Sequence, residues 1–125
     1  MIYELSQQFF FEAAHTLDRE IDTLSSKRIH GHTYHAEVSV RGPRHPQTGM
    51  VVDLGLLRRE ISLIQSVLDH AFLDEVEGLG KPTLENLSAF IANHFVNFEP
   101  PISSVRVWRK ASGDSCRLTL RAATS

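Results

Sequence analysis

The sequence predicts an α+β domain in which two strands at each end of the chain enclose two helices, in the order ββααββ. Three observations carry this. Residues 30–41 alternate between an apolar and a polar face, the signature of a half-buried antiparallel strand. Two stretches after position 53 repeat apolar residues at helical spacing behind N-capping residues. The chain closes on two extended runs separated by a Gly–Asp turn. Strands segregated from helices in this way give an antiparallel four-stranded sheet with two helices on one face.

Residues 2–14 read as the first strand, leading into Glu12-Ala13-Ala14-His15, and 16–27 as a polar loop. The second strand runs from about 28 to 42. One face carries His30, His32, Tyr34, Ala36, Val38 and Val40; the other carries Gly31, Thr33, His35, Glu37, Ser39 and Arg41. Pro43–Gly49 is turn chemistry, followed by a short extended piece, Met50-Val51-Val52. Asp53 caps a helix with Leu54, Leu57, Ile61, Ile64 and Leu68 on one stripe, and Asp69-His70 lies at its end. After a loop with Gly78, Gly80 and Pro82, Thr83 caps the second helix, with Leu84, Leu87, Ile91 and Phe95 inward. Pro100-Pro101 breaks the chain. The closing strands are Val105–Lys110 and Arg117–Arg121, joined by the turn 111–115. A four-stranded sheet leaves two open edges, which favours pairing between subunits.

The 125 residues make one domain, 1–125, of ordinary globular composition, 42% hydrophobic and 22% charged. A net charge of −2 gives no electrostatic case for nucleic-acid or membrane partners. The single cysteine, Cys116, excludes an intrachain disulfide, and no signal peptide or membrane span is visible. A cytoplasmic setting is the expectation.

The motif Arg28-Ile29-His30-Gly31-His32-Thr33-Tyr34 is the most informative in the chain. Side chains alternate along a strand, so His30 and His32 share a face. His15, from the neighbouring strand, completes three imidazole nitrogens, the ligand count of a catalytic zinc site with its fourth position open. The competing reading is a pair of histidines that only cap a strand. A pair together with a third strand histidine favours the metal, with Zn–N distances of about 2.0–2.1 Å.

Several motifs together carry a family resemblance: Phe11-Glu12-Ala13-Ala14-His15, the histidine motif, Gly49-Met50-Val51-Val52-Asp53, Leu68-Asp69-His70, and Pro82-Thr83-Leu84-Glu85-Asn86. In this order and spacing the chain resembles the 6-pyruvoyltetrahydropterin synthase family, which includes the 6-carboxytetrahydropterin synthases of queuosine biosynthesis. The resemblance implies a tunnelling fold (T-fold), in which the sheets of three subunits join into a barrel and two trimers stack as a homohexamer. It implies zinc at His15, His30 and His32, and proton transfer by Asp69 and His70, often with a site contributed by a neighbouring subunit. The implied activity is a zinc-dependent pterin-processing lyase acting on dihydroneopterin triphosphate or a related hydroxylated compound.

The chain departs from the family pattern twice. Members that carry out the standard reaction have a cysteine four residues before the first histidine of the pair; Ser26 stands there, so the chain resembles a divergent member lacking the catalytic cysteine. A serine is a weak base unless a neighbour activates it, which leaves His70, oriented by Asp69, as the principal base and Ser26 as its partner or a bystander. The family also has a pterin-gripping glutamate on the penultimate strand, where Arg109 stands here, facing the pocket or, with a register slip of one or two residues, the surface. A guanidinium offers only donors and suits an anionic or carbonyl-rich group. Thr83 and Glu85, at the head of the second helix, join Arg109 as substrate-binding candidates. Two other readings stay open: a paralogue acting on a different, anionic substrate, and a non-catalytic metabolite-binding subunit that keeps zinc for structure.

Overall fold

A computed structural model describes residues 1–16 and 29–120. Ser26 and nearly all of the expected loop 16–27 lie outside the described residues. Strand β1 (Tyr3–His15) and strand β2 (His30–Gly42) pair antiparallel along their whole lengths, from Tyr3 opposite Gly42 to His15 opposite His30. The alternation decides which face is buried. Phe9, Phe11, Ala13 and His15 of β1 and Tyr34, Ala36, Val38 and Val40 of β2 point inward, while Phe10 between its two buried neighbours is 55% exposed.

Helix α1 (Leu54–Leu68) begins where the Asp53 carboxylate accepts the Gly55 amide at 2.8 Å, and it buries Leu57, Ile61, Ile64 and Leu68. Helix α2 (Leu84–His94) begins where the Thr83 hydroxyl accepts the Asn86 amide at 3.0 Å; Leu87, Ile91 and, just past its end, Phe95 face the core. Both helices pack against the inward strand side chains in one apolar cluster. No helix among the described residues is long and apolar enough to cross a membrane.

The sheet has five strands rather than the expected four, in the order β3 (Ala71–Phe72), β1, β2, β4 (Ser104–Arg109), β5 (Asp114–Thr119). The added strand, β3 (Ala71–Phe72), runs parallel to β1, with Ala71 opposite Ala13 and Phe72 opposite Ala14. Two residues are too few to show an alternation, so nothing in the local pattern marks it. Two backbone-directed bonds fix it instead: the His70 amide donates to the Glu12 carbonyl at 2.6 Å, and the Glu12 amide donates to the Asp69 carboxylate at 2.9 Å. The piece Met50–Val52, expected to be extended, belongs to a turn, since the Met50 carbonyl accepts the His45 amide at 2.8 Å.

Strands β4 (Ser104–Arg109) and β5 (Asp114–Thr119) complete the sheet antiparallel to β2. The hairpin is tighter than the sequence suggests, and its last strand begins three residues earlier. Gly113, at φ 78°, turns the chain at once, its amide donating to the Arg109 carbonyl at 3.0 Å and bringing Asp114 opposite Arg109. This register decides which way Arg109 points. It shares parity with the buried Val105 and Val107, so it lies on the side of the sheet that carries the histidines.

Candidate metal and substrate site

His15 and His30 are direct partners at the end of the β1–β2 ladder, and His32 lies two residues along the same face. The ring centroids are 4.8 Å apart for His15 and His32, 6.1 Å for His15 and His30, and 6.2 Å for His30 and His32. The three histidines thus share one face of the sheet, as the alternation predicts. The rings stack rather than converge, and among the described residues no three His, Cys, Asp or Glu side chains are gathered on a common point. Ligation would call for rotation of the rings.

The residues nonetheless fit a transition-metal ion. His15 is 1% exposed, and among the described residues neither of its ring nitrogens has a side-chain hydrogen-bond partner. A buried imidazole with both nitrogens unpaired is costly unless something occupies one of them. Three neutral imidazoles are also a donor set that suits zinc. Burial, His32 and Arg109 together push the His15 pKa down to about 4, which keeps the ring neutral and its lone pair available near pH 7.

That shift predicts an acid sensitivity. The folded, metal-free chain holds His15 below its ordinary pKa of 6.5, so the unfolded chain takes up the proton first. The stability contributed by neutral His15 is complete above about pH 6.5 and is lost as the pH falls toward about 4. Thermal melts of chelator-treated protein across this window should show a declining Tm, and His15→Leu should flatten the decline.

Arg109 closes the cluster from β4. Its NH1 lies 3.4 Å from Nε2 of His32, and its NH2 is paired with the Asp114 carboxylate, which also accepts the Ser112 hydroxyl at 2.9 Å. The side chain is only 15% exposed, and its Nε is buried without a partner. The Tyr34 hydroxyl is likewise buried, and burial raises its pKa to about 12 against the charge and hydrogen bond of the Arg109 guanidinium. Tyr34, Pro82, Thr83, Leu84, Glu85 and Arg109 line a cavity of about 170 Å³. The three substrate-binding candidates, Arg109, Thr83 and Glu85, are therefore brought together. Tyr34 joins them, although the sequence marked it only as a buried strand position.

Asp69 and His70 lie beside β1 at Glu12, just before β3. Asp69 Oδ2 is 3.0 Å from Nδ1 of His70, which directs the other ring nitrogen outward, and the imidazole is 79% exposed. The Glu12 amide and then the His70 imidazole hold the Asp69 carboxyl below its usual range. His70 adopts a left-handed backbone, φ 60°. It borders a second cavity, of about 430 Å³, with Glu12, Gly31, Thr33 and His32. Glu12 is a site residue that periodicity did not single out: its carboxylate accepts the Thr33 hydroxyl at 3.2 Å, while its backbone carries both bonds to the Asp69-His70 pair. Ser26, the remaining catalytic candidate, lies outside the described residues.

Comparison with known proteins places the chain in a family. The Synechocystis sp. 6-carboxy-5,6,7,8-tetrahydropterin synthase is 36% identical over 90 residues, covering 68% of each chain. The Pyrococcus furiosus dihydroneopterin monophosphate aldolase is 32% identical over 82 residues, covering 66% of this chain and 65% of its own. The structure of Caenorhabditis elegans 6-pyruvoyl tetrahydropterin synthase superposes with a TM-score of 0.81 at 25% identity, over 95% of this chain and 96% of that one. A sequence model of the 6-pyruvoyl tetrahydropterin synthase family matches residues 4–119. With the match running nearly from end to end and the fold superposing over almost its whole length, this chain belongs to the 6-pyruvoyl tetrahydropterin synthase family.

Proposed function

We propose that this protein is a zinc-dependent lyase of pterin-like substrates, acting on dihydroneopterin triphosphate or a related hydroxylated compound. The observation that carries the reading is buried His15, whose ring nitrogens have no side-chain partner among the described residues, facing His30 and His32 in a chain of this family. Relatives that bear the names of a synthase and of an aldolase support elimination and carbon–carbon cleavage alike. The three histidines would hold the zinc, which supplies a Lewis acid when bound.

The chain's own residues supply the remaining roles. Asp69 fixes the His70 tautomer by holding Nδ1, leaving Nε2 to take a proton from substrate carbon or hydroxyl. Thr83, Glu85, Tyr34 and Arg109 shape the wall that reads the substrate. The exposed position of His70 at the β1 edge suits a pair that also works beside a neighbouring subunit. We further propose a cytoplasmic homo-oligomer, a trimer or a dimer of trimers, built by pairing the free edge of β5 with the open stretch of β1 in the next copy.

Arg109 favours the second reading, a paralogue whose substrate is anionic. A pterin ring presents N–H donors to a gripping carboxylate, whereas Arg109 presents only donors of its own. A buried ligand donor left unpaired costs about 1–3 kcal/mol. Calorimetric titration with dihydroneopterin should therefore show weak binding to the wild type and a gain of roughly tenfold or more in Arg109→Glu, since about 1.4 kcal/mol is tenfold. Tight wild-type binding with no gain in the variant overturns the role given to Arg109 and favours a standard pterin substrate.

A further inference from the structure

The segment from Asp69 to Asp74 grips β1 on both sides of His15. Asp69 takes the Glu12 amide at 2.9 Å, and His70 gives its amide to the Glu12 carbonyl at 2.6 Å. Ala71 and Phe72 then pair with Ala13 and Ala14. Beyond them, in the short 3-10 helix Leu73–Glu75, Asp74 makes the last attachment. Its Oδ1 accepts the Thr16 amide at 2.8 Å and its Oδ2 accepts the Thr16 hydroxyl at 2.5 Å. A carboxylate that takes both donors of one residue fixes that residue's backbone and its χ1 together. Thr16 is the residue directly after His15, so this clamp sets where β1 ends and how the His15 ring enters the cluster.

Packing alone would not do this. Among the described residues no side chain hydrogen-bonds the His15 ring to hold its orientation, and the described β1–β2 ladder ends at His15 opposite His30. Leu73, fully buried beside Asp74, anchors the clamp to the core. The carboxylate charge is also felt within the site, where it opposes ionisation of Tyr34.

We propose that Asp74 is a positioning residue for the metal site: through Thr16 it orients His15 and ties the cluster to the Asp69-His70 pair. This rests on the zinc reading given above. Groups that orient a metal ligand from behind it are worth about 10–100-fold in metal affinity. Asn at position 74 can accept the Thr16 amide and donate to the Thr16 hydroxyl, so it keeps the geometry while removing the charge.

The test is competition for zinc between a chromophoric chelator and the purified full chain. Asp74→Ala should bind zinc about 10–100-fold more weakly, Thr16→Val should lose a smaller factor, and Asp74→Asn should stay close to wild type. Amide exchange at His15 and Thr16 in the metal-free protein reads the clamp separately, and should speed up in Asp74→Ala with the far-ultraviolet dichroism unchanged. Wild-type zinc affinity in a folded Asp74→Ala overturns the proposal. Equal loss in Asp74→Asn and Asp74→Ala also overturns it, because the effect is then one of charge. If Asp74→Ala does not fold, Thr16→Val decides, and wild-type affinity there counts against the clamp. A wild type that binds no zinc, with fast exchange confined to Asp74→Ala, leaves the clamp standing and overturns the metal reading instead.

Discussion

His30→Ala and His32→Ala are expected to purify without zinc, whereas wild-type protein prepared without chelator carries about one zinc per chain. The loss should be nearly complete rather than graded. Three nitrogens with an open fourth position are already the minimum set for this kind of site, and no Cys, Asp or Glu among the described residues is gathered with them to take over. The fold should survive. His30 and His32 are only part-buried at the end of the β1–β2 ladder, away from the apolar cluster built on Phe11, Val38, Leu57 and Leu87. Elemental analysis with circular dichroism on the same samples checks both halves. Replacement of His45, which sits in the turn after β2, serves as the control and should leave the metal in place. A wild type with no measurable zinc affinity overturns the assignment of all three histidines.

The second large effect concerns proton transfer. His70→Ala should reduce turnover of the true substrate by about 10²–10⁴-fold, the usual contribution of a general acid–base group, with zinc still bound. The ring is 79% exposed and, among the described residues, held through Asp69, so its removal disturbs little packing. Ser26→Ala should cost much less, because a hydroxyl needs a neighbouring base before it can act as one. Asp69→Asn should fall between them, since it leaves His70 present but no longer held in one tautomer. Equal damage from Ser26→Ala and His70→Ala would make the serine an activated partner of the histidine.

What could be read from the sequence follows the length of each pattern. Twelve residues of alternation, 30–41, put His30, His32 and Tyr34 on the inward face, and the structure keeps them there. Both helices begin at the capping residues Asp53 and Thr83, because an N-cap is a local hydrogen bond written in adjacent residues. The two-residue strand β3 carries no period, and its place comes from bonds to Glu12 across 57 positions of sequence separation. Asp74 was invisible for the same reason: nothing near it in sequence says that it grips Thr16, 58 residues away. Arg109 was legible only once register was known, since a slip of one residue would turn it to the other face. Its pairing with Asp114 in the tight β4–β5 hairpin settles the direction in the structure.

His70 has one more consequence. Its backbone sits at φ 60°, a region that side chains other than glycine enter at a cost of about 1–2 kcal/mol. Glycine there would relieve that cost while giving back about 0.4–1 kcal/mol to the entropy of the unfolded chain. His70→Gly should therefore melt slightly higher than wild type while losing the imidazole altogether. At such a position thermal tolerance and turnover would move in opposite directions. A screen for heat resistance alone would discard the histidine, and a screen for product would restore it.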